Sequence, residues 1–170
     1  MPVNIIEIKA RCKDPHKVHQ LLRQHQADFR GEDHQIDTYF KTPIGRLKLR
    51  EGNIENNLIH YNRPNISGPK NSKVTYSPIS SENNIKSVLT AAMGVLTVVD
   101  KKRSIYFIEN VKFHIDEVKQ LGTFVEIEAI DETGKLGLSK LQEQCQYFME
   151  LLAIQAPDLM ETSYSDMLLL

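Results

Sequence analysis

Five short segments of the chain alternate charged and apolar residues one by one. They lie near residues 6–12, 46–50, 101–103, 111–116 and 125–129. Side chains of a β-strand point alternately to its two faces, so each segment would have one charged face and one apolar face. A sheet with one solvated face explains this pattern. A sheet that curls so that its charged face lines a cavity explains it equally well, because bases and acids recur together.

Turn residues between the alternating segments divide the chain into eight predicted strands. We place them near residues 3–12, 35–41, 45–51, 57–63, 73–78, 97–108, 111–117 and 123–131. Short turns such as Glu109-Asn110 join most consecutive strands, which is typical of an antiparallel meander. Eight antiparallel strands can close into a barrel that holds one small ligand and exposes no sheet edge.

Apolar residues at helical spacing predict helices that cover the outside of this barrel. The helices are expected over residues 15–26, from Ser80 or Ser81 to Gly94, and over 138–153, with a short helical turn in 163–170. Asp14 is an N-cap residue, and Pro15 fits the first turn of a helix. In the second helix, apolar residues such as Val88 should face inward. The sequence thus predicts an α+β fold in one domain, residues 1–170, with an eight-stranded antiparallel β-barrel and helices packed outside.

The overall charge of the chain limits its partners. The 170 residues include 21 basic and 22 acidic ones, and the formal net charge is −1. This balance gives no global attraction to nucleic acid or to an anionic membrane surface. Residues 1–8 lack the features of a signal peptide, and the longest apolar stretch is far shorter than the roughly 20 residues of a membrane span. We expect a cytoplasmic protein that binds neither nucleic acid nor membrane.

Several motifs, taken in chain order, resemble one known family. They are Ile5-Ile6-Glu7-Ile8-Lys9, Asp37-Thr38-Tyr39-Phe40, Arg46-Leu47-Lys48-Leu49-Arg50, Lys101-Lys102-Arg103-Ser104-Ile105-Tyr106, and His114-Ile115-Asp116 followed by Leu121-Gly122-Thr123-Phe124-Val125-Glu126-Ile127-Glu128. Together they resemble the CYTH domain. Its superfamily, the triphosphate tunnel metalloenzymes, includes class IV adenylate cyclases, thiamine triphosphatases and inorganic triphosphatases. The resemblance implies an eight-stranded tunnel that binds a triphosphate with a divalent metal ion, Mg²⁺ or Mn²⁺.

The resemblance also implies roles for acidic residues and for one lysine. Members of the family usually open with Glu-x-Glu-x-Lys, but here Ile5 stands at the first glutamate position and Glu7 and Lys9 remain. The catalytic residues implied are Glu7, Lys9 and Asp116. The implied metal ligands are Glu7, Asp116, Glu126 and Glu128. Ile5 supplies no carboxylate at this position. We therefore expect this departure to affect metal affinity and, through it, turnover.

Basic residues are expected to bind the triphosphate, whose roughly four negative charges cannot be buried without compensation. The candidates on the tunnel face are Lys9, Arg11, Arg46, Lys48, Arg50, Arg63, Lys73, Lys101, Arg103 and Lys112. Arginine can bind phosphate oxygens in a bidentate manner, whereas lysine acts as a point charge. Acids on the same face need cations between them and phosphate, which favours a bound metal.

Two reactions fit such a tunnel. The segment from Lys101 onward is most similar to class IV adenylate cyclases, which favours conversion of ATP to cyclic AMP and pyrophosphate. A thiamine or inorganic triphosphatase is the alternative. Ile5 favours a further alternative, a catalytically weak module that binds triphosphate or polyphosphate, and a barrel for another anion or a protein partner stays open. Class IV cyclases include homodimers, so a homodimer is compatible with the resemblance.

Overall fold

Residues 3–170 are described by the computed structural model. Over this range the chain forms eight strands that pair antiparallel into one closed barrel. The strands are Val3–Arg11 (β1), Asp28–Phe40 (β2), Arg46–Glu51 (β3), Asn56–Asn62 (β4), Lys70–Pro78 (β5), Val95–Ile108 (β6), Val111–Val118 (β7) and Gly122–Asp131 (β8). The predicted antiparallel eight-stranded barrel with helices outside it is therefore confirmed.

The order of the strands around the barrel is β1-β5-β4-β3-β2-β6-β7-β8. Two meanders, β2 to β5 and β6 to β8, are joined side by side where β2 pairs with β6, and β1 closes the barrel between β5 and β8. The predicted start of β2 at residue 35 is wrong, because the strand begins at Asp28 and pairs with the long strand β6. A register shift between Phe29 and Gly31 interrupts the regular alternation there, so the sequence pattern concealed the first part of the strand.

The helices are Pro15–Gln24 (α1), Ile85–Met93 (α2), Leu138–Leu151 (α3) and Tyr164–Leu168 (α4). The predicted N-cap of α1 is confirmed, since the Asp14 side chain accepts a hydrogen bond from the backbone N–H of Lys17 at 3.2 Å. The predicted start of α2 is wrong. Asn84 precedes that helix, and the side chain of Asn83 accepts a hydrogen bond from the backbone N–H of Ile85. All residues of α2 are described and none is fully buried. Of the expected inward face, Ile85 and Leu89 are half-buried, whereas Val88 and Ala92 are exposed, so the prediction is wrong for those two.

Helices α1 and α3 cover the outer face of β1, β7 and β8. Apolar residues from the three strands, such as Ile8, Phe113 and Ile127, pack with Leu22 of α1 and Leu141 of α3 into one core. Burial of this face fixes the orientation of the strands, because alternate residues must then point into the barrel. No helix in the described part of the chain is long and apolar enough to cross a membrane.

Candidate active site: a charged tunnel

The barrel encloses a cavity with a volume of about 310 Å³. The charged residues that line it are Glu7, Lys9, Lys48, Arg50, Glu55, Arg63, Lys101, Arg103, Lys112, Glu126, Glu128 and Glu132. The charged faces of the strands therefore surround an interior space, and the alternative of a solvated sheet face is excluded for these strands. We call this space the tunnel.

Strand register arranges the inward side chains of β1, β8 and β7 in successive layers. From the start of β1 inward, the layers are Ile5 with Ile130, then Glu7 with Glu128 and Lys112, then Lys9 with Glu126 and His114. Directly opposed residues of antiparallel strands have Cβ atoms about 4.5–5.5 Å apart, so each layer forms a group of interacting side chains. The tunnel wall thus changes from apolar to charged within two residues of Ile5.

The predicted metal ligands Glu126 and Glu128 lie together on β8, beside His114 of β7. The Nδ1 atom of His114 is 3.3 Å from Oε2 of Glu126 and 3.8 Å from Oε1 of Glu128. One donor atom from each of the three residues lies within 4.8 Å of the other two. Two carboxylates and an imidazole are a donor set that binds divalent metals, so the residues present fit the metal that the family implies.

Glu7, the third predicted metal ligand, also lines the tunnel, but its carboxylate has a cationic partner. It lies opposite Glu128 in the strand register, and it accepts a hydrogen bond from the guanidinium of Arg63. Burial lowers the pKa of Arg63, although the nearby carboxylates oppose this shift. The Glu7 carboxylate is therefore close to the metal cluster and bound to Arg63, which directly follows β4.

The fourth predicted ligand, Asp116, is separated from this cluster. Its carboxylate is fully buried and accepts two hydrogen bonds from Arg103 and one from the hydroxyl of Tyr164, each 2.7 Å long. Burial alone would raise the pKa of Asp116, but Arg103 lowers it below the usual value. Asp116 is not among the residues that line the tunnel, so its role as a metal ligand or catalytic group stays a prediction. Its charge holds Arg103 in place.

Three of the predicted phosphate ligands share one buried carboxylate, that of Asp37. Arg50 donates two hydrogen bonds of 2.9 Å to it, and Lys101 donates one of 2.7 Å. The ammonium group of Lys48 lies 3.2 Å away. Burial would raise the pKa of Asp37, but the three cations hold it well below the usual value. Asp37 thus holds the charged side chains of Arg50, Lys101 and Lys48 in ordered positions at the tunnel wall.

Seven of the ten predicted triphosphate ligands line the tunnel, namely Lys9, Lys48, Arg50, Arg63, Lys101, Arg103 and Lys112. The remaining three do not. Arg11 is exposed at the end of β1, and Arg46 donates a hydrogen bond of 2.6 Å to Asp166 of α4. Lys73 is exposed on the outside of β5, because Ser72 and Val74 on either side of it are the residues that face inward.

Glu55 is a tunnel residue that the strand pattern did not predict. Its carboxylate accepts hydrogen bonds from Gln35 at 2.9 Å, from Arg50 at 3.4 Å and from Lys112. It lies in the turn between β3 and β4, where alternation gives no signal. The buried carboxylate of Asp33 orders this turn by accepting three backbone N–H groups at 2.7–2.9 Å, one of them from Glu55 itself.

Tyr164 of α4 is a second tunnel residue that the pattern did not reveal. Its ring lies 3.8 Å from the ammonium of Lys9 and 5.9 Å from that of Lys101, and its hydroxyl binds Asp116. The aromatic face attracts both cations. Helix α4 thus lies at the inner end of the tunnel, and the predicted C-terminal helical turn contributes to the site.

Opposite charges in the tunnel wall nearly balance. The wall has seven basic residues and five acidic ones, Glu7, Glu55, Glu126, Glu128 and Glu132, and Asp37 and Asp116 lie directly behind it. A ligand with about four negative charges would therefore bring excess negative charge into a low-dielectric space. A divalent cation next to the carboxylates would offset that excess.

The outer end of the tunnel is mostly apolar, with Glu132 as a charged residue that follows Ile130. The start of β1 pairs there with the ends of β5 and β8, and the residues that line this end are Val3, Ile5, Val74, Tyr76, Phe107 and Ile130. We call these residues the apolar mouth. The tunnel therefore combines a charged inner chamber with a mouth able to contact an uncharged organic group.

Several solved structures are similar to this chain. The PH1012 protein of Pyrococcus horikoshii OT3 has a TM-score of 0.80 and 21% identity, with 95% of this chain and 98% of that chain covered. A Vibrio parahaemolyticus protein described as a "putative adenylate cyclase" has a TM-score of 0.81 and 20% identity, with 98% of both chains covered. HpAC1 of Hippeastrum, described with a dominant triphosphatase activity, has a TM-score of 0.61 and 14% identity, with 98% of this chain and 94% of that chain covered. At these identities the similarity establishes the fold.

Sequence comparison identifies the family. No curated protein sequence matches the chain significantly. The family model of the CYTH domain matches residues 4–164, which include β2 to β8, all of β1 except Val3, and Tyr164 at the inner end of the tunnel. This match agrees with the closed barrel and its charged interior. The chain belongs to the CYTH domain family.

Proposed function

We propose that the tunnel binds a nucleoside triphosphate with a divalent metal ion, and that the chain converts ATP to cyclic AMP and pyrophosphate in the manner of a class IV adenylate cyclase. One observation carries the proposal: seven basic side chains and the cluster of Glu126, Glu128 and His114 line one cavity inside the barrel. Bases alone would suit any anion. Acids in the same space require a cation between them and the phosphates, which points to a metal–triphosphate complex.

Glu126 and Glu128, with Glu7 nearby, are the carboxylates that would hold Mg²⁺ or Mn²⁺. Such an ion supplies positive charge to the phosphate oxygens and polarises the phosphorus that is attacked. The basic residues of the wall position the phosphate chain. Arg103 is held rigid by its two hydrogen bonds to Asp116, and Arg50 is held by its two to Asp37, so both guanidinium groups are ordered before the ligand arrives.

In the cyclase reaction the ribose 3′ oxygen forms a bond to the α-phosphorus and loses its proton. The bond from that phosphorus to pyrophosphate breaks, and negative charge develops on the departing pyrophosphate. Lys9 and Lys101, which both contact the ring of Tyr164, lie at the inner end of the tunnel where this charge can be stabilised. Catalysis in this scheme is mainly positioning and electrostatic stabilisation.

The apolar mouth favours an organic triphosphate over inorganic triphosphate. Ile5 and Ile130 face each other at the outer end, next to Phe107 and Tyr76. Inorganic triphosphate has no apolar group that could make favourable contacts with this surface. A nucleoside or another organic group has one. The Vibrio parahaemolyticus protein, described as a "putative adenylate cyclase", supports the choice of ATP.

A triphosphatase is the second candidate. The triphosphatase activity ascribed to the Hippeastrum protein favours it, and the same tunnel would position the terminal phosphorus for attack by water. A third candidate is a module that binds triphosphate or polyphosphate with little turnover. Ile5 favours this candidate, because it replaces a carboxylate of the family pattern with an apolar side chain.

Product analysis separates these candidates. The protein is incubated with ATP, thiamine triphosphate or inorganic triphosphate, each with Mg²⁺ or Mn²⁺, and the products are identified by phosphorus NMR and chromatography. The proposal predicts cyclic AMP and pyrophosphate from ATP. Orthophosphate from any of the three would establish a triphosphatase, and binding without product would establish a binding module.

A further inference from the structure

We infer that His114 is a metal ligand of this tunnel, and that with Glu126 and Glu128 it forms a mixed nitrogen and oxygen site that prefers Mn²⁺, Co²⁺ or Zn²⁺ to Mg²⁺. The inference rests on the proposed function, since it concerns the same tunnel. It adds a ligand that the family motifs do not assign and a class of metal ion.

Strand pairing, and not a loop, brings the three residues together. His114 of β7 is directly opposite Glu126 of β8, and Glu128 is the next inward-facing residue of β8. All three side chains line the tunnel. The site is therefore built on regular elements, which hold ligands more rigidly than loops do.

Distances in the cluster suit a shared cation better than hydrogen bonds. The His114 Nδ1 atom is 3.3 Å from a Glu126 oxygen and 3.8 Å from a Glu128 oxygen. A charge-assisted hydrogen bond to a carboxylate is shorter, about 2.7–2.9 Å. Ligand atoms that each lie about 2.0–2.2 Å from one metal are separated from one another by roughly 3–4.4 Å. Both measured distances fall in the second range.

Burial of the imidazole is the second observation, and it is independent of the acidic pair. His114 is 1% exposed, and among the described residues its Nε2 atom has no hydrogen-bond partner. A buried polar atom without a partner is destabilising, so a histidine with a purely structural role normally has both ring nitrogens bonded. The long contact of Nδ1 with Glu126, at 3.3 Å, is therefore the one hydrogen-bonding contact of the ring among the described residues, and a metal bound to Nδ1 would give the buried imidazole a strong partner.

The chemistry of the donors sets the preference for the metal. Mg²⁺ strongly favours oxygen ligands, whereas imidazole is a good ligand for Zn²⁺, Co²⁺ and the other first-row transition ions. Ile5 removes a carboxylate that the family pattern would supply, and it lies opposite the apolar Ile130. One oxygen donor fewer and one nitrogen donor more both shift the site away from Mg²⁺.

Metal titration without any triphosphate tests the inference. Binding of Co²⁺ is followed by its visible absorption, binding of Mn²⁺ by electron paramagnetic resonance, and Mg²⁺ is added as a competitor. We expect the wild type to bind Co²⁺ and Mn²⁺ at least tenfold more tightly than Mg²⁺. His114→Gln should weaken Co²⁺ binding at least tenfold. His34→Gln is the matched control, because His34 pairs with Asp100 at 2.7 Å on the outer surface, and it should bind like the wild type.

Two outcomes would overturn the inference: wild-type affinity for Co²⁺ in folded His114→Gln, or equal affinity of the wild type for Mg²⁺ and Mn²⁺. If His114→Gln does not fold, histidine ring nitrogen NMR of the wild type with and without Zn²⁺ decides, since a ligand nitrogen must shift. A separate titration with ATP and excess Mg²⁺ tests the proposed function. If the protein binds Co²⁺ but not ATP, only the proposed function is rejected. If it binds ATP but not Co²⁺, only the role of His114 is rejected.

Discussion

The Arg103 guanidinium and the Asp116 carboxylate are joined by two hydrogen bonds of 2.7 Å inside the barrel. The hydroxyl of Tyr164 donates a third bond to the same carboxylate. Arg103 faces the tunnel, whereas Asp116 lies behind it. Arg103 is therefore available to a phosphate, and Asp116 orients the guanidinium group and balances its charge.

Asp116→Asn should lower stability far more than it changes metal binding. The substitution leaves Arg103 buried without its main counter-charge, and loss of one partner of a buried ion pair costs about 3–5 kcal/mol. Urea unfolding measures this cost, and Co²⁺ titration of the folded variant measures the metal site. We expect Co²⁺ affinity within about threefold of the wild type. A large loss of Co²⁺ affinity in a stably folded variant would support Asp116 as a ligand.

Glu126→Gln should abolish metal-dependent turnover and leave triphosphate binding largely intact. The amide is a weaker metal ligand, and loss of a negative charge beside Lys9 and Arg103 does not oppose an anionic ligand. Turnover and calorimetric binding of ATP are measured on the same preparation. Glu117→Gln is the control, because Glu117 is exposed on the outer face of the neighbouring strand β7. Equal loss of folding and of ATP binding would identify Glu126 as a structural acid.

Ile5→Glu should raise the affinity for Mg²⁺ by about tenfold, since one added charged ligand contributes on the order of 1.4 kcal/mol or more. The new carboxylate would lie one layer from Glu7 and Glu128, within reach of a shared cation. Ile5→Gln is the control, with a similar polar shape and no charge. Unchanged Mg²⁺ affinity in Ile5→Glu would show that another acid already fills this position.

Asp37 should make the fold sensitive to acid. Its pKa is held well below the ordinary value of 3.8, so its contribution to stability is complete above about pH 4 and is lost as the pH falls toward the folded pKa. Asp37→Asn should destabilise the protein at pH 7 by about 3–5 kcal/mol. The difference from the wild type should shrink below pH 4. Urea unfolding at pH 7 and pH 3 measures it.

The control for Asp37 is Asp28→Asn, which removes an ion pair with Arg30 that lies exposed on the surface. Exposed pairs contribute little to stability. We expect this variant to unfold like the wild type at both pH values. A constant difference between wild type and Asp37→Asn from pH 7 to pH 3 would contradict the assigned pKa shift.

The barrel could be predicted from the sequence because the alternation of charged and apolar residues depends only on neighbouring positions within one strand. Lys9 and Arg103 lie in regular strands, and both face inward as predicted. Helix α2 was predicted less well. Its spacing is amphipathic, but amphipathicity only shows which face could be buried, and the neighbouring strands leave Val88 62% exposed.

Parts of the site depended on information that one sequence does not contain. Lys73 was predicted to face the tunnel. Pairing of Lys70 with Glu7 extends β5 and sets its register, so Lys70 is buried and Lys73 is exposed. Glu55 enters the tunnel from a turn, where its direction is set by the buried carboxylate of Asp33. Such contacts between distant residues leave no periodic signal in the sequence.

The central claim is that the inside of the barrel binds a triphosphate, and calorimetric titration of three proteins with ATP and Mn²⁺ tests it most directly. Lys48 lines the tunnel, whereas Lys73 lies outside it, so Lys48→Gln and Lys73→Gln remove the same charge on opposite sides of the wall. We predict that Lys48→Gln weakens ATP binding about tenfold or more, because a charge-assisted contact contributes about 1.5–3 kcal/mol, and that Lys73→Gln binds like the wild type. Equal binding by both variants, or no binding by the wild type, would contradict the account.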